Sequence, residues 1–145
     1  MNSPVKIALL SVRVTFGLFL LAWAVKKIVD TEGTSGIFAK FYGIEGLGAS
    51  SSMIAGGLQI AVSVAIILGL FKTVSYGAGL LIHGVSTVST ASHILMPLAE
   101  GSNLLFMAGL PIMGAILGLF LARHEDTLLS LDSALGRGNA ATVGA

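Results

Sequence analysis

The chain has no cysteine among its 145 residues. Without thiols it can form no disulfide, no iron–sulfur cluster, no thiolate metal site and no CxxC redox pair. Dithiol exchange with a quinone, one task that a four-helix membrane protein could perform, is therefore excluded.

Charged residues are also scarce, at 10% of the chain, whereas soluble domains carry roughly 25%. The eight lysines and arginines lie scattered between apolar segments and the formal net charge is +1, so the basic patch that binds nucleic acid is missing. Because 54% of the residues are hydrophobic, too little polar surface exists to cover a soluble globule. We predict an integral membrane protein, with the lipid bilayer as a partner and nucleic acid excluded.

Sequence motifs of catalysis and dinucleotide binding are missing as well. No GxSxG, Walker, HExxH or GxGxxG fingerprint occurs, so no nucleophile with a base can be named. We expect no independent catalytic activity and no catalytic residue, and an intramembrane enzyme is only a third interpretation.

The apolar segments contain no aspartate or glutamate, which limits their chemistry. Proton-coupled export of cationic drugs needs an intramembrane carboxylate and is disfavoured. A metal site would lack its carboxylate or thiolate ligands, so none is expected. Haem is disfavoured too, since His83 and His93 lie about 15 Å apart along one helix and cannot ligate the same iron.

The chain does contain four apolar runs, each close to the roughly 20 residues needed to cross about 30 Å of hydrocarbon. Pro111, near the middle of the fourth run, is expected to bend its helix. We predict an all-α fold, an integral membrane four-helix bundle over residues 1–126. Its predicted spans are residues 7–25, 51–71, 74–96 and 104–122.

Two further segments have helical amphipathic patterns. Residues 34–43 place four apolar side chains on one face, which predicts a short interfacial helix between the first and second spans. Residues 127–145 are predicted to form a short amphipathic segment, with Leu128, Leu131 and Leu135, followed by a mobile tail.

The distribution of basic residues weakly favours termini in the cytoplasm, where membrane-protein loops are enriched in lysine and arginine. Four spans put both termini on one side, and that side carries one basic residue more than the other. The basic residues are Lys6, Lys72, Arg123 and Arg137 on the side of the termini, and Lys26, Lys27 and Lys40 on the other.

Small residues at helical spacing predict close packing between helices, because helices in lipid associate by close backbone approach. Gly114 and Gly118 form a GxxxG, and Ala61, Ala65 and Gly69 repeat every four residues. Two interpretations stay open: packing within the bundle, or contact with another subunit.

Arg13 is the one permanently charged residue well inside a predicted span, where an unpaired charge costs several kcal/mol. It could reach toward the membrane surface or bond the carbonyls of a neighbouring helix. Alternatively, it could anchor an anionic or carbonyl-bearing group, such as a lipid phosphate or a quinone head.

The third span carries a polar stripe that is expected to face the bundle interior, because its members fall within about one third of the helix circumference. Hydroxyls on a helix can bond a carbonyl one turn back, which is a structural explanation for most of them. His83 is either a satisfied core histidine or a ligand- or proton-handling group, and Gln59 of the second span could face the same interior. The stripe consists of Tyr76, Gly79, His83, Ser86, Thr87, Thr90 and His93.

Several short motifs resemble those of the DoxX-like membrane proteins, over about residues 6–123. The resemblance implies a bacterial or archaeal inner-membrane protein that serves as a small subunit or accessory of redox systems, some of them linked to the quinone pool. Arg13 and Lys27 are the matching polar positions, while direct thiol chemistry is not expected without cysteine. The matching stretches are VRVTFGLFL at 12–20, the basic exit at Lys27, residues 38–42, GLQI at 57–60, LGL at 68–70 and the polar third span.

Two main functions are consistent with these features. The first is a non-catalytic membrane subunit or anchor of a quinone-linked redox complex, respiratory or sulfur-oxidising, with other redox subunits as partners. The second is a small-molecule or lipid carrier with an internal polar site around Arg13, Gln59 and His83. Thr87, Thr90 and His93 are further candidate ligand-binding residues, and a quinone or a lipid is the expected ligand.

Overall fold

A computed structural model of the chain describes residues 3–137, and this part of the chain is all-helical. A 3-10 helix, Leu104–Ala108, lies between the fifth and sixth of its α-helices. The α-helices are α1 Pro4–Val29, α2 Thr31–Tyr42, α3 Ala49–Leu68, α4 Lys72–Ser89, α5 Ala91–Leu95, α6 Gly109–Leu121 and α7 Leu131–Ala134.

Three helices in residues 3–137 are long and apolar enough to cross a membrane, and they indicate a membrane protein. They are α1, α3 and the continuous stretch Leu104–Leu121 formed by the 3-10 helix and α6. These three coincide with the first, second and fourth predicted spans. α4, on the third predicted span, is also 18 residues long but is less apolar, because polar residues such as Lys72, Ser75 and His83 occupy its buried face.

The helices α1, α3, α4 and α6 pack side by side, and the backbone of each is the neighbour of two others: α1 of α3 and α6, and α4 of α3 and α6. Glycines allow the closest approaches. A Cβ on Gly56 would lie 2.9 Å from the carbonyl oxygen of Ala24, and one on Gly17 would lie 3.2 Å from that of Ser63. Helices α1 and α3 therefore approach each other most closely at Gly17 and Gly56, where a larger residue would push the two backbones apart.

The small residues singled out by their spacing lie elsewhere. Gly114 and Gly118 are exposed, and a Cβ on either would meet no described atom within 4 Å, so packing inside the bundle does not hold for this pair. Ala61 is exposed and Ala65 half-buried. Gly69 ends α3 in the left-handed conformation, with φ 62°, and so serves the tight turn into α4.

Two predicted spans differ from single straight helices. The third span breaks at Thr90, between α4 and α5, where successive hydroxyls bond carbonyls one turn back: Thr87 to His83 and Thr90 to Ser86. Such bonds compete with the helical ladder. In the fourth span Pro111 lies in the first turn of α6, where a missing N–H costs least. The span changes from 3-10 to α geometry at Gly109, and the bend at Pro111 stays a prediction.

The chain after α6 folds back against the bundle instead of lying along it as an amphipathic segment. Leu131 and Leu135 are exposed, while Asp132 is 7% exposed and accepts hydrogen bonds from the backbone N–H groups of Phe71 (3.0 Å) and Lys72 (2.9 Å). Asp132 thus satisfies N–H groups at the start of α4, which have no partner inside the helix. The predicted mobile tail lies, from residue 138 onward, outside the described residues.

Candidate functional site

A cavity of about 470 Å³ lies between α1, α2, α4 and the 3-10 helix. This volume falls within the roughly 300–1,000 Å³ range of small-molecule sites. Trp23 and Leu105, which line the cavity, are exposed, so the cavity opens to the surroundings. Aromatic side chains form much of its wall: Phe19, Trp23, Phe38, Phe41, Tyr42 and Phe106.

The position of α2, which covers the cavity, is fixed at both of its ends. At its start the Asp30 carboxylate accepts bonds from the Lys26 ammonium (2.6 Å) and the Gly33 backbone N–H (2.8 Å). The bond from Lys26, followed by that from Gly33, holds the pKa of Asp30 below its usual value. At the far end the hydroxyls of Tyr42 and Ser86 lie 2.7 Å apart, and this contact ties α2 to α4.

One wall of the cavity carries a lysine bonded to a buried amide. The Lys27 ammonium donates to Gln59 Oε1 at 2.9 Å, and Gln59 Nε2 donates to the carbonyl oxygen of Leu20 at 2.8 Å. Gln59 is 6% exposed, so these bonds also satisfy a polar group that is costly to bury alone. The result is a cationic group at the edge of a largely apolar cavity, beside Lys26, whose ammonium is bonded to Asp30.

His83 lines the cavity with its ring set among aromatic side chains. Its imidazole lies edge-on to Phe16 and Phe19, with ring centroids 6.0 and 5.7 Å away. His83 Nε2 lies 3.1 Å from the carbonyl oxygen of Gly109, which can only accept, so Nε2 carries the proton. His83 is thus bonded through one ring nitrogen and forms part of the cavity wall.

The other candidate residues of α4 and α5 fall on both sides of the cavity boundary. Thr87 and Thr90 line it, although their hydroxyls bond α4 carbonyls. His93 lies behind the wall, stacked on Phe106 at 4.5 Å between ring centroids, and its Nδ1 is 3.3 Å from Ser102 Oγ. His93 therefore supports an aromatic wall residue and does not itself face the cavity.

Arg13 lies apart from the cavity, in a buried ion pair that the sequence did not predict. Its Nη1 donates to Asp126 Oδ1 at 2.9 Å, and its Nη2 donates to the carbonyl oxygens of Leu128 (3.0 Å) and Leu129 (2.9 Å). Arg13 is 1% exposed and Asp126 0%. The Tyr76 hydroxyl donates to the second carboxylate oxygen of Asp126.

The expected grouping of Arg13 with Gln59 and His83 is therefore not found. Gln59 bonds at the level of Leu20, which lies seven positions after Arg13, or about 10 Å along the helix. Arg13 instead joins the folded-back chain end to α1. The sequence pattern does not identify Asp126, because this residue follows the fourth apolar run, although the charged sequence Arg-His-Glu-Asp at residues 123–126 marks a place where a partner of Arg13 could lie.

Residues 3–137 contain no group of three or more histidine, cysteine, aspartate or glutamate side chains that could hold a metal ion. No protein family, curated protein or solved structure matches the chain. The likeness to DoxX-like proteins stays a prediction based on short motifs.

Proposed function

We propose that this chain is a four-helix integral membrane protein that binds a lipid-soluble small molecule in the cavity beneath α2. The cavity carries the proposal: its wall is largely apolar and aromatic, and its few polar groups include Lys27, Gln59 and His83. Sites for small molecules combine an apolar wall with a few placed polar groups in this way. The protein would act as a carrier or as a binding subunit, without catalysis of its own.

The proposal includes α4 as a fourth membrane span. Most of its polar side chains are buried or half-buried, which lowers its mean hydropathy while exposing only Thr73, near its start. Its outward face is apolar and suited to contact lipid chains. The exposed side chains of that face include Val74, Leu81, Val85 and Val88.

Four spans place both termini on one side, and the small excess of basic residues there supports a cytoplasmic location for them. The cavity, next to Lys26 and Lys27 at the end of α1, would then open toward the outer side of the membrane. The DoxX-like motifs favour the inner membrane of a bacterium or archaeon as its location.

A second candidate function is a non-catalytic subunit of a quinone-linked redox complex. The observation in its favour is the number of aromatic rings in the cavity wall, including Phe38 and Tyr42, whose ring centroids lie 4.8 Å apart. Such rings provide faces against which a planar quinone can stack. Under this proposal, purification in mild detergent at native expression recovers a stoichiometric redox partner. A lone chain after crosslinking would contradict it.

Ligand binding can be tested through tryptophan fluorescence, because Trp23 is the one tryptophan of the sequence and lines the cavity. We expect decylubiquinone to quench the Trp23 fluorescence in a saturable way in neutral micelles, and we expect hexadecanol to reverse this quenching by competition. Thr87→Phe places a ring in the cavity and should abolish saturation. Val88→Phe, on the adjacent outward-facing residue (75% exposed), should not. Unsaturable quenching in the wild type, or equal behaviour of both variants, would contradict a binding cavity.

A further inference from the structure

We infer that the ligand of this cavity is an amphipathic anion, a carboxylate or phosphate on a long apolar chain, whose head group binds Lys27. The inference rests on the proposed function, that the cavity takes a lipid-soluble molecule. It adds the charge and the orientation of that molecule: the head at the basic end of α1, the chain along the apolar wall.

The Lys27 ammonium has no acidic partner among residues 3–137. The ion pairs in this part of the chain join Lys26 to Asp30, Arg13 to Asp126 and Arg137 to Asp132. The described acceptor for Lys27 is the neutral amide oxygen of Gln59, at 2.9 Å. An ammonium carries three N–H donors, so two are left for a ligand.

Neighbouring contacts hold this ammonium at the cavity wall. Gln59 cannot turn its oxygen away without losing the bond from its Nε2 to Leu20, at 2.8 Å. The backbone of Lys27 is held as well, because the Ser52 hydroxyl donates to its carbonyl oxygen at 2.7 Å. The cationic group therefore exists in place before any ligand arrives, and binding need not order it.

The positive charge of Lys27 and the apolar wall of the cavity together determine the class of ligand. A half-buried cation beside an apolar surface gains from an anionic partner, and charge-assisted hydrogen bonds are roughly twice as strong as neutral ones. The rest of the wall offers apolar side chains such as Phe19, Ile82 and Ile112, which suit a hydrocarbon chain. An anionic head on an apolar chain satisfies both parts of the cavity.

The experiment compares three C16 ligands of matched chain length, palmitate, hexadecyl phosphate and hexadecanol, by equilibrium binding to the purified protein in neutral detergent at pH 8. We expect at least one anion to bind about 10-fold or more tightly than hexadecanol, as a charge-assisted bond implies. The tighter of the two anions distinguishes a carboxylate from a phosphate head.

Variants then locate the charge. Lys27→Met keeps the apolar stem and should remove the preference for the anion while hexadecanol still binds. Lys27→Arg should retain it. Lys6→Met, the same charge removal at the other end of α1, should leave all three affinities unchanged.

Equal wild-type binding of anions and alcohol would overturn the inference while leaving the proposed function intact, and this comparison needs no variant to fold. A preference that survives in Lys27→Met would overturn it as well. If none of the three ligands binds the wild type, both the inference and the proposed function fail.

Discussion

Replacement of Asp126 by alanine should destabilise the protein more than any exposed acidic substitution. The change removes the carboxylate that accepts from Arg13 at 2.9 Å and from the Tyr76 hydroxyl, in a pair whose side chains are 1% and 0% exposed. The guanidinium would stay buried without its counter-charge. Breaking a buried ion pair in this way costs about 3–5 kcal/mol.

The control variants separate loss of a pair from loss of a charge. Glu125→Ala, at the exposed neighbouring position, should change the free energy of unfolding by less than about 0.5 kcal/mol. The combined variant Arg13→Met, Tyr76→Phe, Asp126→Leu removes the guanidinium, the phenol hydroxyl and the carboxylate together. It should recover at least half of the loss, because apolar replacement of a whole buried pair is often neutral or stabilising.

The measurement is reversible unfolding by sodium dodecyl sulfate from mild micelles, followed by far-ultraviolet circular dichroism. A loss below about 1 kcal/mol for Asp126→Ala would refute the reasoning, since that is what a solvent-exposed pair contributes. It would mean that water or lipid head groups reach Arg13.

Other expected outcomes follow from single contacts. Gly56→Ala should lower the free energy of unfolding by about 1–3 kcal/mol, because the new Cβ would lie 2.9 Å from the Ala24 carbonyl oxygen. Gly57→Ala adds its Cβ in open space and should be neutral or stabilising in the same detergent titration. Equal effects at the two sites would contradict the close α1–α3 contact. Asp30 has a lowered pKa, so its stabilisation of α2 is complete above the ordinary pKa of an aspartate and is lost as the pH falls through its own, lower pKa. Relative to the intrinsic exchange rate at each pH, the protection of α2 amides should fall over that acidic range in the wild type and be low at all pH values in Asp30→Ala, which has no side-chain acceptor for Gly33 N–H. A flat wild-type protection profile would contradict the cap.

The sequence was most informative where a property repeats along the chain. Apolar runs of about 20 residues located α1, α3 and α6, and helical spacing placed Tyr76, Gly79 and His83 on the buried face of α4. Amphipathic spacing also located α2. In each case, the features that form the pattern lie within a few helical turns, so neighbouring residues suffice to predict the structure.

Contacts between distant segments could not be predicted in this way. The bond from Arg13 to Asp126 joins residues 113 positions apart, and only the path of the chain after α6 makes it possible. Spacing did not identify Gly17 and Gly56 as the close contacts, because the facing side of a helix depends on its neighbours. For the same reason the sequence predicts that Arg13 and Gln59 face the interior of the bundle, but it does not predict that they lie at different heights along α1.

The pair of Arg13 and Asp126 also sets an order of events during biosynthesis. Arg13 enters the membrane with the first helix, whereas Asp126, Leu128 and Leu129 leave the ribosome only after 113 or more further residues have been translated. Until then the guanidinium needs a temporary partner, from the insertion machinery or from phospholipid head groups. A nascent chain arrested before Asp126 would keep that charge exposed inside the membrane, where a quality-control protease could recognise it as unfinished.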